Sequence, residues 1–132
     1  WSTSLLSRQQ TGWAWFALML ANGEDLMAFR LLREDGERSR FDHGMLADGA
    51  TQRVLQPDDF ELLPLTYWTD PTGAEWPVVW ELKIGDRRLL VRALLDDQLM
   101  DTLVVYWEGL VEVLEEGEIV GRGYMELTGY NR

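Results

Sequence analysis

Tyr106-Trp107-Glu108-Gly109-Leu110-Val111-Glu112-Val113 and Gly121-Arg122-Gly123-Tyr124-Met125-Glu126-Leu127-Thr128-Gly129-Tyr130 are the two stretches whose reading decides the fold. Bulky and polar side chains alternate along both with a period of two. A strand with one face in a core and the other toward water has that pattern. Between them stands the short acidic turn Glu115-Glu116-Gly117-Glu118, whose glycine can accept the positive φ of a tight hairpin. The two stretches are therefore the arms of a β-hairpin. A loop of odd length sets Glu108 against Tyr124 and Tyr106 against Glu126, so that two tyrosine-glutamate pairs share one face.

Working outward, further turn signals recur at short intervals: Asn22-Gly23, Asp35-Gly36, Asp48-Gly49, Pro71-Thr72-Gly73 and Gly85-Asp86. Asn-Gly and Asp-Gly take positive φ at little cost, and apolar runs between such turns predict an antiparallel meander. The predicted strands cover residues 12–20, 25–33, 38–46, 51–55, 60–67, 75–84, 87–94, 104–114 and 119–128. A helical turn is expected only within 57–60 and 96–103. An open sheet of this size leaves exposed edges, so the expectation is an all-β, antiparallel up-and-down barrel of the lipocalin or calycin type. In Trp76-Pro77-Val78-Val79-Trp80-Glu81-Leu82-Lys83-Ile84 one face is apolar and the other carries Glu81 and Lys83, an ordinary half-buried strand. Trp13-Ala14-Trp15-Phe16-Ala17-Leu18-Met19-Leu20 is apolar on both faces, which requires the barrel interior on one side and a second packed layer on the other.

At 132 residues the chain is long enough for one core and too short for two, so residues 1–132 are read as a single domain. Seven Trp, four Tyr and four Phe need a large interior or a ligand to cover them. A formal net charge of -11 repels phosphate backbones and anionic lipid surfaces, which argues against nucleic-acid partners and electrostatic membrane docking. With no cysteine and one histidine, a zinc site of the usual kind and a thiol nucleophile are excluded, and no cofactor is expected. No run reaches the roughly 18 apolar residues of a spanning helix.

Glu108 and Glu126 lead the candidate chemical groups, with Tyr106 and Tyr124 beside them. A carboxyl against aromatic rings has its ionised form desolvated, which raises its pKa and suits it to protonate an alkene as a general acid. The competing interpretation is a hydrogen-bonded structural pair or a pair of solvated strand carboxylates. Arg30, in Leu26-Met27-Ala28-Phe29-Arg30-Leu31-Leu32, is expected either to pair with Glu108 or Glu126 or to orient a ligand carbonyl through its rigid guanidinium fork. His43 reads as a surface-turn residue, and Asp96 and Asp97 as turn caps. Trp13, Trp15, Phe29, Trp76, Trp80 and Trp107 divide between core and pocket wall, with Trp13, Trp80 and Trp107 the stronger pocket candidates.

Tyr-Trp-Glu-Gly at 106–109 followed by Gly121-x-Gly-Tyr-x-Glu-Leu-Thr-Gly-Tyr130, together with Trp13-Ala14-Trp15-Phe16, Leu26-Met27-Ala28-Phe29-Arg30, Asp58-Asp59-Phe60, Tyr67-Trp68-Thr69, Pro77-Val78-Val79-Trp80 and Leu94-Leu95-Asp96-Asp97-Gln98, resembles the lipocalin-like family of carotenoid 1,2-hydratases and AttH-type secreted hydrolases. The resemblance spans nearly the whole chain. It implies a two-lobe architecture with this domain as the C-terminal lobe, an N-terminal lobe or a second copy as partner, and a periplasmic or secreted location. Trp1-Ser2-Thr3-Ser4 resembles the tail of the motif that leads into this lobe, so the chain reads as a processed or excised piece.

The resulting expectation is a barrel that binds a small hydrophobic ligand, polyene-like or terpenoid, in an aromatic cavity. The resemblance implies hydration of a double bond with Glu108 or Glu126 as proton donor. A Diels–Alderase-like cyclisation by shape alone and a non-catalytic structural lobe stay open as alternatives. Relatives read WDWF where this chain has Trp13-Ala14-Trp15-Phe16, carry a polar residue at the place of Met19, and read LYRLR where it has Ala28-Phe29-Arg30-Leu31-Leu32. Apolar side chains have replaced polar ones along that hairpin, which favours a greasy pocket over one that positions a water.

Overall fold

The computed structural model describes residues 10–33, 39–101 and 105–131. Ten strands follow one another: β1 (Gln10–Leu20), β2 (Asp25–Arg33), β3 (His43–Ala47), β4 (Gln52–Leu55), β5 (Phe60–Thr69), β6 (Glu75–Ile84), β7 (Arg87–Ala93), β8 (Leu99–Asp101), β9 (Val105–Glu115) and β10 (Glu118–Thr128). One turn of 3-10 helix at Pro57–Asp59 occupies the expected place before β5. The second expected helical turn is absent from the described part of 96–103. There the chain bends and adds the short strand β8 against β9. The third strand begins at His43; its expected start at residue 38 lies outside the described residues, and residues 39–42 form a turn in which the Asp42 N–H donates to the Ser39 carbonyl. The buried Asp42 carboxylate accepts the backbone N–H groups of Leu31 and Ser39, which satisfies donors that would otherwise be lost to the ladder.

All pairings are antiparallel, and the main path runs β4-β3-β2-β1-β10-β9-β7-β6-β5. The first and last long strands meet as β1 and β10. What remains is an up-and-down curled sheet whose two edges, β4 and β5, are consecutive in the chain and joined by the 3-10 turn. Arg30 helps hold the curl: its guanidinium, on β2, donates to the Leu62 carbonyl on β5.

One face of the sheet lines the interior. Ala14, Phe16 and Leu18 of β1, Trp76, Val78, Trp80 and Leu82 of β6, Leu89 and Val91 of β7, Trp107, Val111 and Val113 of β9, and Met125 and Leu127 of β10 are all at most 2% exposed. Phe16 meets Trp80 edge-on with centroids 5.3 Å apart, an arrangement that places a positive ring edge on a negative ring face. The three deep indoles have their N–H groups satisfied: Trp80 donates to the Pro77 carbonyl at 2.8 Å, Trp76 to the Asp70 carboxylate at 2.9 Å and Trp107 to the Asp96 carbonyl at 2.6 Å.

Candidate functional site

The hairpin register differs from the expected one. The turn has two central residues, Glu116 and Gly117, with φ of 53° and 82°, so Glu115 pairs with Glu118 and Leu114 with Ile119. The ladder then slips by one residue before Gly121 pairs with Val113. Without that slip Glu108 would face Met125, and the two glutamates would lie on opposite sides of the sheet. With it, Glu108 stands directly opposite Glu126, Tyr124 opposite Leu110, and Tyr106 opposite Thr128. The expected tyrosine-glutamate pairs are thus replaced by a glutamate-glutamate pair, with Tyr124 and Tyr106 two positions away on the same face.

That face is the outer one. Strand registers place His43, Phe29, Trp15, Glu126 and Glu108 in one row across β3, β2, β1, β10 and β9, and Met45, Met27, Ala17, Tyr124 and Leu110 in the next. Trp13 lies one pair further along β1, opposite Thr128. Two cavities formed by described residues open here. A smaller one of about 260 Å³ is lined by Trp13, Trp15, Phe29 and Glu126. A larger one of about 490 Å³ has Ala17, Met19, Met27, Met45 and Tyr124 among its walls, with Asp25 at its border.

Glu126 is half-buried between β1 and β9. Burial raises its carboxyl above the ordinary glutamate value, the charge of Glu108 adds to the rise, and a hydrogen bond from the Trp13 side chain opposes it. Desolvation and a like charge both favour the protonated form, so the carboxyl keeps a transferable proton at higher pH than a free glutamate does. Glu108 itself is exposed.

The remaining candidates are distributed by simple alternation. Trp107 precedes Glu108 and Arg30 follows Phe29, so each points to the opposite face from its neighbour. Trp107 is fully buried in the interior and donates its indole N–H to the Asp96 carbonyl at 2.6 Å. Trp80 is likewise interior, at 1% exposure. The expected pairing of Arg30 with Glu108 or Glu126 does not occur, because the sheet separates them and Arg30 reaches the Leu62 carbonyl instead. Trp13, Trp15, Phe29 and Glu126 are brought together, and Trp80, Trp107 and Arg30 are placed elsewhere. His43 is exposed beside Phe29, and its Nδ1 is 2.9 Å from the Phe41 carbonyl. Among the described residues no group of three or more His, Asp or Glu side chains is arranged to hold a metal ion.

In Asp96-Asp97-Gln98 the working residue is Gln98, which the sequence reading passed over. Its carbonyl accepts the Glu108 N–H at 3.2 Å, its side-chain oxygen accepts the Leu110 N–H at 3.1 Å, and its side-chain nitrogen donates to Leu95 at 2.7 Å. The carboxamide lies over Gly109, within 2.1 Å of where a Cβ would stand. Gln98 thereby takes the place of a neighbouring strand beside β9, bonding the backbone at Glu108 and Leu110. Met27, Met45 and Ala47 were also missed as cavity walls. The available signal was the run Asp25 to Leu32, apolar on both faces like β1.

Comparison with known proteins agrees with the all-β fold. A family model described as AttH-like matches residues 1–130. The crystal structure of an AttH candidate from Nitrosomonas europaea is similar at a TM-score of 0.87 and 34% sequence identity, over 96% of this chain and 41% of that one. The chain therefore spans less than half the length of that relative. No curated protein sequence matches.

Proposed function

This chain belongs to the AttH-like family, and we propose that it binds a small hydrophobic ligand, polyene-like or terpenoid, on its outer aromatic face, with Glu126 at the ligand's reactive end. One observation carries the proposal: a single cavity joins Trp13, Trp15 and Phe29 to a carboxyl whose pKa is raised by burial and by Glu108. Covering about 100 Å² of ligand with apolar wall contributes roughly 2.5 kcal/mol, near seventy-fold in affinity.

Hydration of an isolated double bond follows from the same pair. Glu126 transfers its proton to one alkene carbon, leaving a cation on the other. Water adds to that carbon, its surplus proton passes to the Glu108 carboxylate and on to solvent, and Glu126 regains a proton from solvent before the next turnover. Aromatic walls and the ionised Glu126 favour the cationic intermediate. A general acid of this kind contributes roughly two to four powers of ten in rate. Shape-enforced cyclisation would use the same walls without the proton.

A second reading has its own support. Met45, Met27 and Ala17 form an outward apolar row, and the N. europaea chain extends well beyond the part matched here. On this reading the face packs against a further lobe of the polypeptide, and the domain is a structural or ligand-bounding half.

The test is a binding titration with a soluble polyene probe, followed by a hydration assay on a terminal isoprenoid alkene. Trp15→Ala is expected to weaken the probe at least tenfold. Glu126→Gln is expected to leave probe affinity nearly intact and abolish hydration. Probe affinity insensitive to Trp15→Ala would remove the outer-face site. Hydration surviving Glu126→Gln would remove the acid role.

A further inference from the structure

Glu108 and Glu126 occupy directly opposed positions on neighbouring antiparallel strands, where Cβ atoms come within about 4.5–5.5 Å. Like charges so placed repel, and proteins ordinarily relieve the repulsion with an interleaved Lys or Arg. Elsewhere on this molecule they do: Arg92 pairs with Glu112, and Arg87 bridges Glu115 and Glu24. Among the described residues neither Glu108 nor Glu126 forms an ion pair. The cavity next to them is walled by two indoles and a phenyl ring, groups whose faces carry negative charge density and attract cations. An anionic end is repelled by the two carboxylates and by a net charge of -11. A neutral hydroxyl end leaves the carboxylate repulsion in place.

We infer that this pocket selects positive charge: it takes a quaternary or protonated ammonium group at the end of the ligand, held among Trp13, Trp15 and Phe29 with Glu126 and Glu108 as counter-ions. The inference rests on the reading of this pocket as the ligand site but not on alkene chemistry. A volume of about 260 Å³ admits a trimethylammonium head and leaves an attached apolar chain free to run toward the larger cavity past Tyr124. The same charge preference would favour the transient cation of the hydration step.

Choline and its neutral isostere 3,3-dimethylbutan-1-ol differ in charge and scarcely in shape, so their comparison isolates the charge. Calorimetric titration and the indole N–H resonances of Trp13 and Trp15 read the result on the whole chain. Choline should bind at least tenfold more tightly than the isostere, and the difference should shrink at high salt. Glu126→Gln should bring choline close to the isostere, and Glu108→Gln, at an exposed position, should do so in part with the fold unchanged. Trp15→Ala should weaken both compounds. Equal binding of the two would overturn charge selection and leave the hydrophobic site standing. If neither bound while the polyene probe did so through Trp15, the inference would also fall alone. If the polyene probe did not bind either, the site itself would fall with it.

Discussion

Glu126 on β10 faces Glu108 on β9 and Trp15 on β1, so one carboxyl lies between a like charge and an indole. The one-residue slip between Ile119 and Gly121 creates this arrangement. A bulge costs a ladder hydrogen bond and recurs where a sheet must re-aim a side chain. Here it puts the second glutamate on the outer face.

The Glu126 carboxyl is raised in the folded state, so the stability linked to it is fully present below the ordinary glutamate value and is lost as pH rises through its folded value. Urea midpoints measured between pH 4 and 7 should contain a Glu126 contribution that falls with pH in the natural chain. Glu126→Gln should lack that contribution. Glu108→Gln should lower the Glu126 pKa in a carbon-detected NMR titration and stabilise by only a few tenths of a kcal/mol, because Glu108 is exposed and screened.

Gln98 and Gly109 should behave as one unit. Gln98→Ala removes its bonds to the Leu95 carbonyl and the Leu110 N–H and should cost about 1–3 kcal/mol. Gly109→Ala drives a methyl into the Gln98 carboxamide and should cost a comparable amount. The double variant should cost clearly less than the sum, because each change removes the reason for the other's penalty. Additive costs in chemical denaturation would contradict the clamp.

Trp80→Ala opens the packed interior, where the ring is 1% exposed against Phe16, and should cost about 3–5 kcal/mol. Trp15→Ala, at a half-buried outer position, should cost much less and act on ligand binding. Thermal unfolding of the two variants side by side separates core from pocket wall.

Asp70 accepts hydrogen bonds from Thr72, Ala74 and the Trp76 indole. These bonds, the Thr72 side chain foremost, depress its carboxyl from 3.8 to about 2. The linked stability is present above 3.8 and is lost as pH falls toward 2. Asp70→Asn should flatten that acid limb and lower stability at pH 7, measured by denaturant midpoints between pH 2 and 5.

Alternation by two along the 106–113 and 121–130 stretches, the spacing of the Gly turns and the two-sided apolar run of β1 are properties of adjacent residues. From them alone the all-β meander, the barrel and the presence of an apolar outer face around Trp13 and Trp15 could be read. Alternation also implies that Arg30 lies on the opposite face from Phe29, and by the same rule Trp107 and Glu108 cannot line the same pocket. Which residues meet across strands is a different kind of quantity. It depends on an integer offset between distant segments, and a two-residue turn plus one slipped residue near Val120 changed that offset so that Glu126 met Glu108 instead of Tyr106. Arg30 reaching Leu62 and Gln98 standing in for a strand depend equally on how far the sheet curls. Curl and register are set by the sum of contacts over all ten strands. No local run of residues carries that sum, so the tertiary structure alone decided which side chains share the cavity with Glu126.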